Sequence, residues 1–88
     1  MPATAVSTSS RRGAPVALVR IVLADVARIV AGVTHVEIDA ESHLGLVRRL
    51  DVTRTPTVLL LDAHGLIRTR ATGAPRRDEV LTALAGIV

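Results

Sequence analysis

The sequence contains no cysteine and no phenylalanine, tyrosine or tryptophan. Without cysteine, the chain has no disulfide, no thiolate metal ligand and no redox nucleophile. Without aromatic rings, it has no platform on which unpaired bases stack, so that mode of single-strand nucleic-acid binding is excluded. The hydrophobic core must therefore be built from valine, leucine, isoleucine and alanine.

Lysine is also absent, so all eleven basic residues are arginine, and the net charge is +3. A basic balance can attract nucleic acid or an acidic membrane surface. The arginines are spread along the chain, however, and stand side by side only at 11–12, 48–49 and 76–77. Such pairs are typical of solvated helix faces and termini. Nucleic-acid association through these arginines is therefore a weak alternative function.

No apolar run is long enough for a membrane helix, which needs about 20 residues. The longest apolar region, 14–33, is interrupted by Arg20, Asp25 and Arg28. The arginines at 11–12 precede apolar residues as in a twin-arginine signal. Arg20 follows them too closely, and no small-residue cleavage site leads into a mature domain. We expect no membrane contact and a cytoplasmic protein.

The hydrophobic pattern predicts one domain over 13–88, preceded by a flexible leader or a short frayed strand over 1–12. Its first element is a long amphipathic helix, with Pro15 in the first turn and Gly32 just past the end. Apolar residues recur there at intervals of three and four positions. These residues are Val19, Val22, Leu23, Val26, Ile29 and Val30.

Strands and helices then alternate. Strands are predicted at 34–39, 57–61 and 66–72, and a weak one at 3–6. A short helix is predicted at 40–51 with Ser42 as its cap, and a last helix at 75–85 with Asp78 and Glu79 near its positive end. The chain is therefore predicted to be an α/β domain.

In this order of helices and strands the chain resembles the thioredoxin family. The stretches that carry the resemblance are VEIDAE at 36–41, VRRLDV at 47–52, RTPTVLLLD at 54–62, the turn at 64–65, Gly73 and the helix at 76–84. The resemblance covers about residues 13–86 and implies a thioredoxin-like fold, a small mixed β-sheet flanked by helices. It places the first strand, here weak or truncated, between the strands at 34–39 and 57–61. It also implies that Pro56 is a cis proline.

The working motif of that family is Cys-x-x-Cys at the start of the long helix, where the helix N-terminus lowers the pKa of the first thiol. Counting back along the helix, the matching positions are Gly13, Ala14, Pro15 and Val16. Neither glycine nor valine forms a thiolate or resolves a mixed disulfide. The aromatic residue that commonly precedes the motif is replaced by Arg12. The redox role therefore does not carry over, no catalytic residue is identified, and the sequence argues against an enzyme.

The resemblance leaves a binding role open. In thioredoxin-like proteins the residue before the cis proline, here Thr55, offers its backbone to an extended peptide by strand addition. Turn geometry alone accounts equally well for Pro56. Together with Gly73, these residues are the peptide-binding candidates. The leading hypothesis is a non-catalytic module that binds a peptide or protein or acts as a scaffold. The alternative to it is an inactive or truncated remnant of a thiol-disulfide oxidoreductase.

The histidines and acidic residues show no metal or acid–base spacing. His35, His43 and His64 are expected at a strand start, a helix start and a hairpin turn, with no pair at i, i+4. Glu37 and Asp39 alternate with apolar residues, which is typical of the outward face of a strand. Neither of the glycine-rich phosphate-binding spacings is present. No metal and no cofactor is expected, and the oligomeric state is left open.

Overall fold

The computed structural model describes residues 2–9, 14–54 and 56–87, and of residues 14–16 it describes the backbone. Its elements, in chain order, are β1 (Ala3–Ser9), α1 (Ala14–Ile29), β2 (Val33–Asp39), α2 (Leu44–Arg49), β3 (Thr57–Leu61), β4 (Ile67–Thr72) and α3 (Arg77–Ala85). No helix among these residues combines the length and the apolar character that a membrane crossing requires.

The four strands form one mixed sheet in the order β2-β1-β3-β4, so the first strand of the chain lies in the middle, as predicted. Strand β1 runs parallel to β2 and antiparallel to β3. It is longer than the predicted strand at 3–6, because its pairing with β2 continues to Ser9 opposite Asp39. The expectation of a short, frayed strand was therefore wrong. Hydroxyl side chains concealed the strand, yet Thr8 is fully buried and donates to the carbonyl oxygen of Thr57 at 3.2 Å.

One face of the sheet carries the main hydrophobic core. Helix α1 contributes to this core most of the apolar residues that were predicted to recur along one side of it, here called its apolar stripe. Helix α3 contributes Val80 and Leu84, both buried. The sheet residues in this core are Ala3, Ala5, Val33, Val58 and Leu60. Ile29 was predicted to share the stripe, but its side chain is 58% exposed. At about 100° per residue it falls about 20° outside the arc that the buried Val22 and Leu23 delimit.

The opposite face of the sheet has a smaller buried centre. Because side chains alternate along a strand, Val6 and Leu59 point away from the main core, and both are buried. Arg70 lies opposite Leu59 in the β3–β4 ladder. Its guanidinium donates to the backbone carbonyls of Leu50 at 2.6 Å and Asp51 at 3.3 Å. These bonds hold the segment after α2 over this face.

Helix α2 is shorter than the predicted helix at 40–51, and Ser42 does not cap it. The Asp39 carboxylate accepts hydrogen bonds from the backbone N–H of Glu41 at 3.1 Å and from the Ser42 hydroxyl at 2.9 Å. An aspartate that captures backbone and side-chain donors just after it favours a turn over a helix. The helix consequently begins only after His43.

The last part of the chain follows the prediction closely. Helix α3 begins two residues after Pro75, and Asp78 and Glu79 occupy its first turn. In the hairpin before it, the Asp62 carboxylate accepts the N–H groups of His64 at 2.9 Å and Leu66 at 3.1 Å. Burial alone would raise the pKa of Asp62, but these N–H groups and the nearby arginine at 68 together hold it below its usual value.

Candidate functional site

A shallow cleft, with a cavity volume of about 10 Å³, lies at the end of the sheet where β1 and β2 finish. Parallel strands end at the same edge of a sheet, and β3, which is antiparallel, begins there, since Thr8 pairs with Thr57. Loops at this edge therefore converge with α1. The cleft is lined by Ser7, Thr8, Ser9, Val19, Arg20, Glu37 and Pro56. Of the predicted peptide-binding residues that the structure describes, Pro56 lies in its wall and Gly73 does not.

Gly73 lies beside Pro56. Its backbone N–H donates to the Pro56 carbonyl oxygen at 2.8 Å. Gly73 has a φ of 83°, in the left-handed region where glycine is favoured because it has no Cβ. The chain can therefore turn at the end of β4 while this N–H points back at the start of β3. Two of the three peptide-binding candidates are in contact, and the third, Thr55, lies outside the described residues.

The positions predicted to correspond to the Cys-x-x-Cys motif fall at the start of α1. Ala14, Pro15 and Val16 form the first turn of that helix, whereas Gly13 lies outside the described residues. Val19 and Arg20, one turn further along the helix, line the same cleft as Pro56. The helix start and the proline, which are far apart in the sequence, are therefore grouped at one end of the sheet.

An ion pair on the cleft wall was not predicted from the sequence. Arg20 Nε, on α1, lies 3.0 Å from Glu37 Oε1, on β2, and both side chains are about half exposed. The alternation in β2 predicted Glu37 on the outward face of the strand, but Glu37 lies on the same face as the core residue Val33, the face that α1 covers. The alternation also gave no information on an ion-pair partner for Glu37, because Arg20 and Glu37 lie in different elements. The pair fixes a positive and a negative group at the cleft mouth.

Ser7 and His35 form a second pair that sequence inspection missed. Ser7 Oγ lies 3.2 Å from His35 Nε2 across the β1–β2 ladder, a diagonal contact, because Ser7 pairs with Glu37 and His35 pairs with Ala5. Burial is the main cause that lowers the pKa of His35; Arg20 lowers it further and Glu37 opposes the shift. Ser7 is itself buried within the sheet. The pair therefore satisfies two polar groups inside the sheet.

The lowered pKa of His35 predicts a pH dependence of stability. The unfolded chain binds a proton on this histidine near its ordinary pKa of 6.5, more readily than the folded chain does. Stability must then fall as the pH drops below about 6.5, because protonation favours the unfolded state. We expect the urea midpoint to decrease between about pH 8 and about pH 5, the range in which histidine titrates.

The matched variant for this measurement is His35→Gln, whose side chain keeps a hydrogen-bonding group toward Ser7 but does not titrate. Its urea midpoint should change less with pH than that of the wild type over the same range. Superimposable profiles of the two proteins would contradict the assignment to His35.

The remaining candidate ligands are scattered. His43 Nδ1 contacts the Asp39 carbonyl oxygen at 3.0 Å, and His64 lies in the β3–β4 turn. Across residues 2–9, 14–54 and 56–87, no three histidine, aspartate or glutamate side chains come close enough to hold a metal ion.

Comparison with known proteins supports the fold. No family model and no curated protein matches the sequence. A solved structure described as a malarial protein superposes with a TM-score of 0.86 at 10% identity, covering 100% of this chain and 99% of that one. Thioredoxin NaTrxh from Nicotiana alata superposes with a TM-score of 0.83 at 22% identity, covering 98% of this chain and 73% of that one. At these identities the likeness shows the fold alone.

Proposed function

From a thioredoxin-like fold that carries no cysteine, we propose that this chain is a non-catalytic module that binds an extended peptide or protein segment beside Pro56. The observation that carries the proposal is the position of Pro56 in the wall of a cleft formed by the end of β1 and by α1. A proline ring fixes its own φ and disfavours the helical conformation in whatever residue precedes it. An extended backbone at an accessible site is what strand addition by a peptide requires.

Hydrogen bonds on either side of Thr55 support this assignment. The Thr57 hydroxyl donates to the Arg54 carbonyl oxygen, and the Gly73 N–H donates to the Pro56 carbonyl oxygen at 2.8 Å. These bonds hold Pro56 and Thr57 at the start of β3. A preorganised backbone loses less conformational entropy on binding and so binds more tightly.

The side chains of the cleft favour recognition over chemistry. Thiol–disulfide exchange needs a thiolate, which this chain does not possess. Arg20 and Glu37 at the cleft mouth already form an ion pair, and the hydroxyl groups of Ser7 and Ser9 line the cleft beside it. Such groups give directional hydrogen bonds to a peptide without activating any bond for cleavage.

A phosphate-binding role is less well supported by the same structure. Many arginines in the described part of the chain already pair with carboxylates. These are Arg20, Arg28, Arg68, Arg76 and Arg77. Paired arginines have less charge to offer to phosphate groups, and nucleic-acid binding depends on that charge.

Replacing Pro56 with alanine is expected to weaken peptide binding by about tenfold, which corresponds to about 1.4 kcal/mol. The reason is that alanine no longer restrains the backbone next to the cleft. Peptides would be selected from a displayed random library on the wild-type protein, and their affinities measured by fluorescence anisotropy. Pro2→Ala is the matched control, because Pro2 is exposed and precedes β1 at the other end of the sheet.

The outcomes separate the hypotheses. Binding that survives high salt and weakens only in Pro56→Ala supports the peptide-binding module. Equal binding by the wild type and Pro56→Ala contradicts it. A steep loss of nucleic-acid binding with salt would favour the arginine-mediated alternative. A poorly folded protein that selects no peptide would favour an inactive remnant of an oxidoreductase.

A further inference from the structure

Strand β2 is an edge strand whose outer side is unpaired by any strand in the described residues. It pairs with β1 along its whole length without a shift of register, and it contains no proline or glycine. Val33, Thr34, Val36 and Ile38 give it a high content of β-branched residues, which favour extended structure. A regular edge of this kind is a template for pairing with another chain.

The hydrogen bonds to β1 show which backbone groups point outward. The Ala3 N–H donates to the Gly32 carbonyl oxygen, and the Ala40 N–H donates to the Ser9 carbonyl oxygen. Because successive residues of a strand face opposite edges, the even-numbered residues of β2 face β1. The odd-numbered residues therefore point their N–H and C=O groups outward. In the centre of the strand these residues are His35 and Glu37.

At the two ends of the strand, part of this outward set is already satisfied within the chain. The Val33 N–H contacts the Val30 carbonyl oxygen at 3.4 Å, and the Asp39 carbonyl oxygen accepts the Ser42 N–H at 3.2 Å. The Val33 carbonyl and the Asp39 N–H are left at the outer edge.

We propose that two copies of this chain associate through β2, which pairs antiparallel with the β2 of the partner about a two-fold axis at Val36. In this register His35 lies opposite Glu37 of the second copy, and the two exchange both of their outward N–H and C=O groups. The Asp39 N–H meets the Val33 carbonyl of the second copy. The Val33 N–H and the Asp39 carbonyl need no partner in the second copy, because each already has a hydrogen-bond partner within its own chain.

The side chains select the same register. Centring the pair on Val36 brings His35 and Glu37 together twice, on the face of the sheet where Arg20 already contacts Glu37. Centring it on Glu37 would instead oppose two glutamates, and like charges directly opposite each other are destabilising. Centring it on His35 would oppose two histidines and would leave Asp39 without a partner. The edge is thus complementary to itself in one register.

The other edge strand is protected against such pairing. Strand β4 carries Arg68 and Arg70, and its register with β3 shifts between Leu60 and Leu61. Positive charges and irregular ladders are devices by which edge strands avoid pairing with other chains. Strand β2 has a regular ladder, and its charged residues, Glu37 and Asp39, are acidic. The difference between the two edge strands therefore assigns the association of chains to β2, and β4 provides a matched control.

The test is the molar mass in solution, measured by size-exclusion chromatography with light scattering over a range of concentrations. The wild type should approach twice the mass of one chain as its concentration rises. Val36→Lys should remain at the mass of one chain, because it places two lysines together on the axis. Ile67→Lys, on β4, should behave as the wild type does. Val36 and Ile67 are 39% and 40% exposed, so both variants should fold, which circular dichroism would verify.

A charge exchange tests the register itself. His35→Glu should abolish association, since it opposes glutamates at both symmetric positions. The double variant His35→Glu with Glu37→His should restore it, because each glutamate again faces a histidine. Hydrogen exchange should slow on dimerisation at the amides of His35, Glu37 and Asp39. A wild type that stays at the mass of one chain, or association lost in Ile67→Lys but kept in Val36→Lys, would overturn the proposal.

Discussion

Replacing Ala5 with proline is expected to unfold most of the protein at room temperature. Ala5 is fully buried in the central strand. The Ala3 N–H donates toward β2, and because alternate residues of a strand face the same edge, the Ala5 N–H also points at β2. Proline removes that donor, which leaves the facing carbonyl unsatisfied at a cost of about 1–3 kcal/mol. Its ring also overfills a site that holds only a methyl group, at a further cost of about 1–3 kcal/mol.

These costs are large for a domain of 88 residues, because small domains bury a smaller fraction of their surface and are correspondingly marginal in stability. The loss would be measured as the fraction folded by circular dichroism and as the urea midpoint. The matched control is Glu37→Pro, in which the lost N–H points away from the sheet. Edge strands tolerate proline in that orientation.

Both proline variants should be compared at a protein concentration low enough that association of chains is negligible. Glu37→Pro should remain folded where Ala5→Pro does not. If the two variants lost similar stability, the central position of β1 would be called into question.

Leu59→Ala should have the second largest effect, lowering the free energy of unfolding by about 2–5 kcal/mol. Leu59 is fully buried on the face of the sheet opposite the main core. That face lies under the segment that Arg70 holds through the carbonyls of Leu50 and Asp51. Truncating the side chain removes apolar contacts and leaves a cavity, and a core without aromatic side chains has few large groups to fill it.

The matched control for this substitution is Leu66→Ala, since Leu66 is 62% exposed. Exposed substitutions of this kind usually change stability by no more than about 0.5 kcal/mol. Urea denaturation followed by circular dichroism would give both values. A cost for Leu59→Ala as small as that for Leu66→Ala would mean that this face is not a packed core.

The outcome for the individual elements shows where sequence inspection succeeds. The helix stripe from Val19 to Val26 and the strand Thr57–Leu61 were predicted closely, because their apolar spacing is a local signal. Helix α2 was predicted too long, since the carboxylate of Asp39 engages the donors that follow it. Strand β1 was underestimated, because its hydroxyl residues resemble those of a leader and only pairing on both sides reveals a strand.

The candidate site shows the same division. Pro56 and Gly73 were selected through a family resemblance, and the structure joins them by one hydrogen bond. The Arg20–Glu37 ion pair and the Ser7–His35 contact could not be predicted. Each joins residues from different elements, and no spacing along the chain encodes such a distance.

The sequence by itself determined that this protein has no thiol chemistry, no aromatic core and an alternation of helices and strands. These properties follow from composition and from periodicity, which act over a few neighbouring residues. The family resemblance already implied that β1 lies between the two neighbouring strands. Only the tertiary structure decided the length and register of β1, the cleft beside Pro56, and that no strand of the described residues pairs with the outer side of β2. Strand order and register depend on contacts between distant residues, and these contacts form only when the whole chain is packed together.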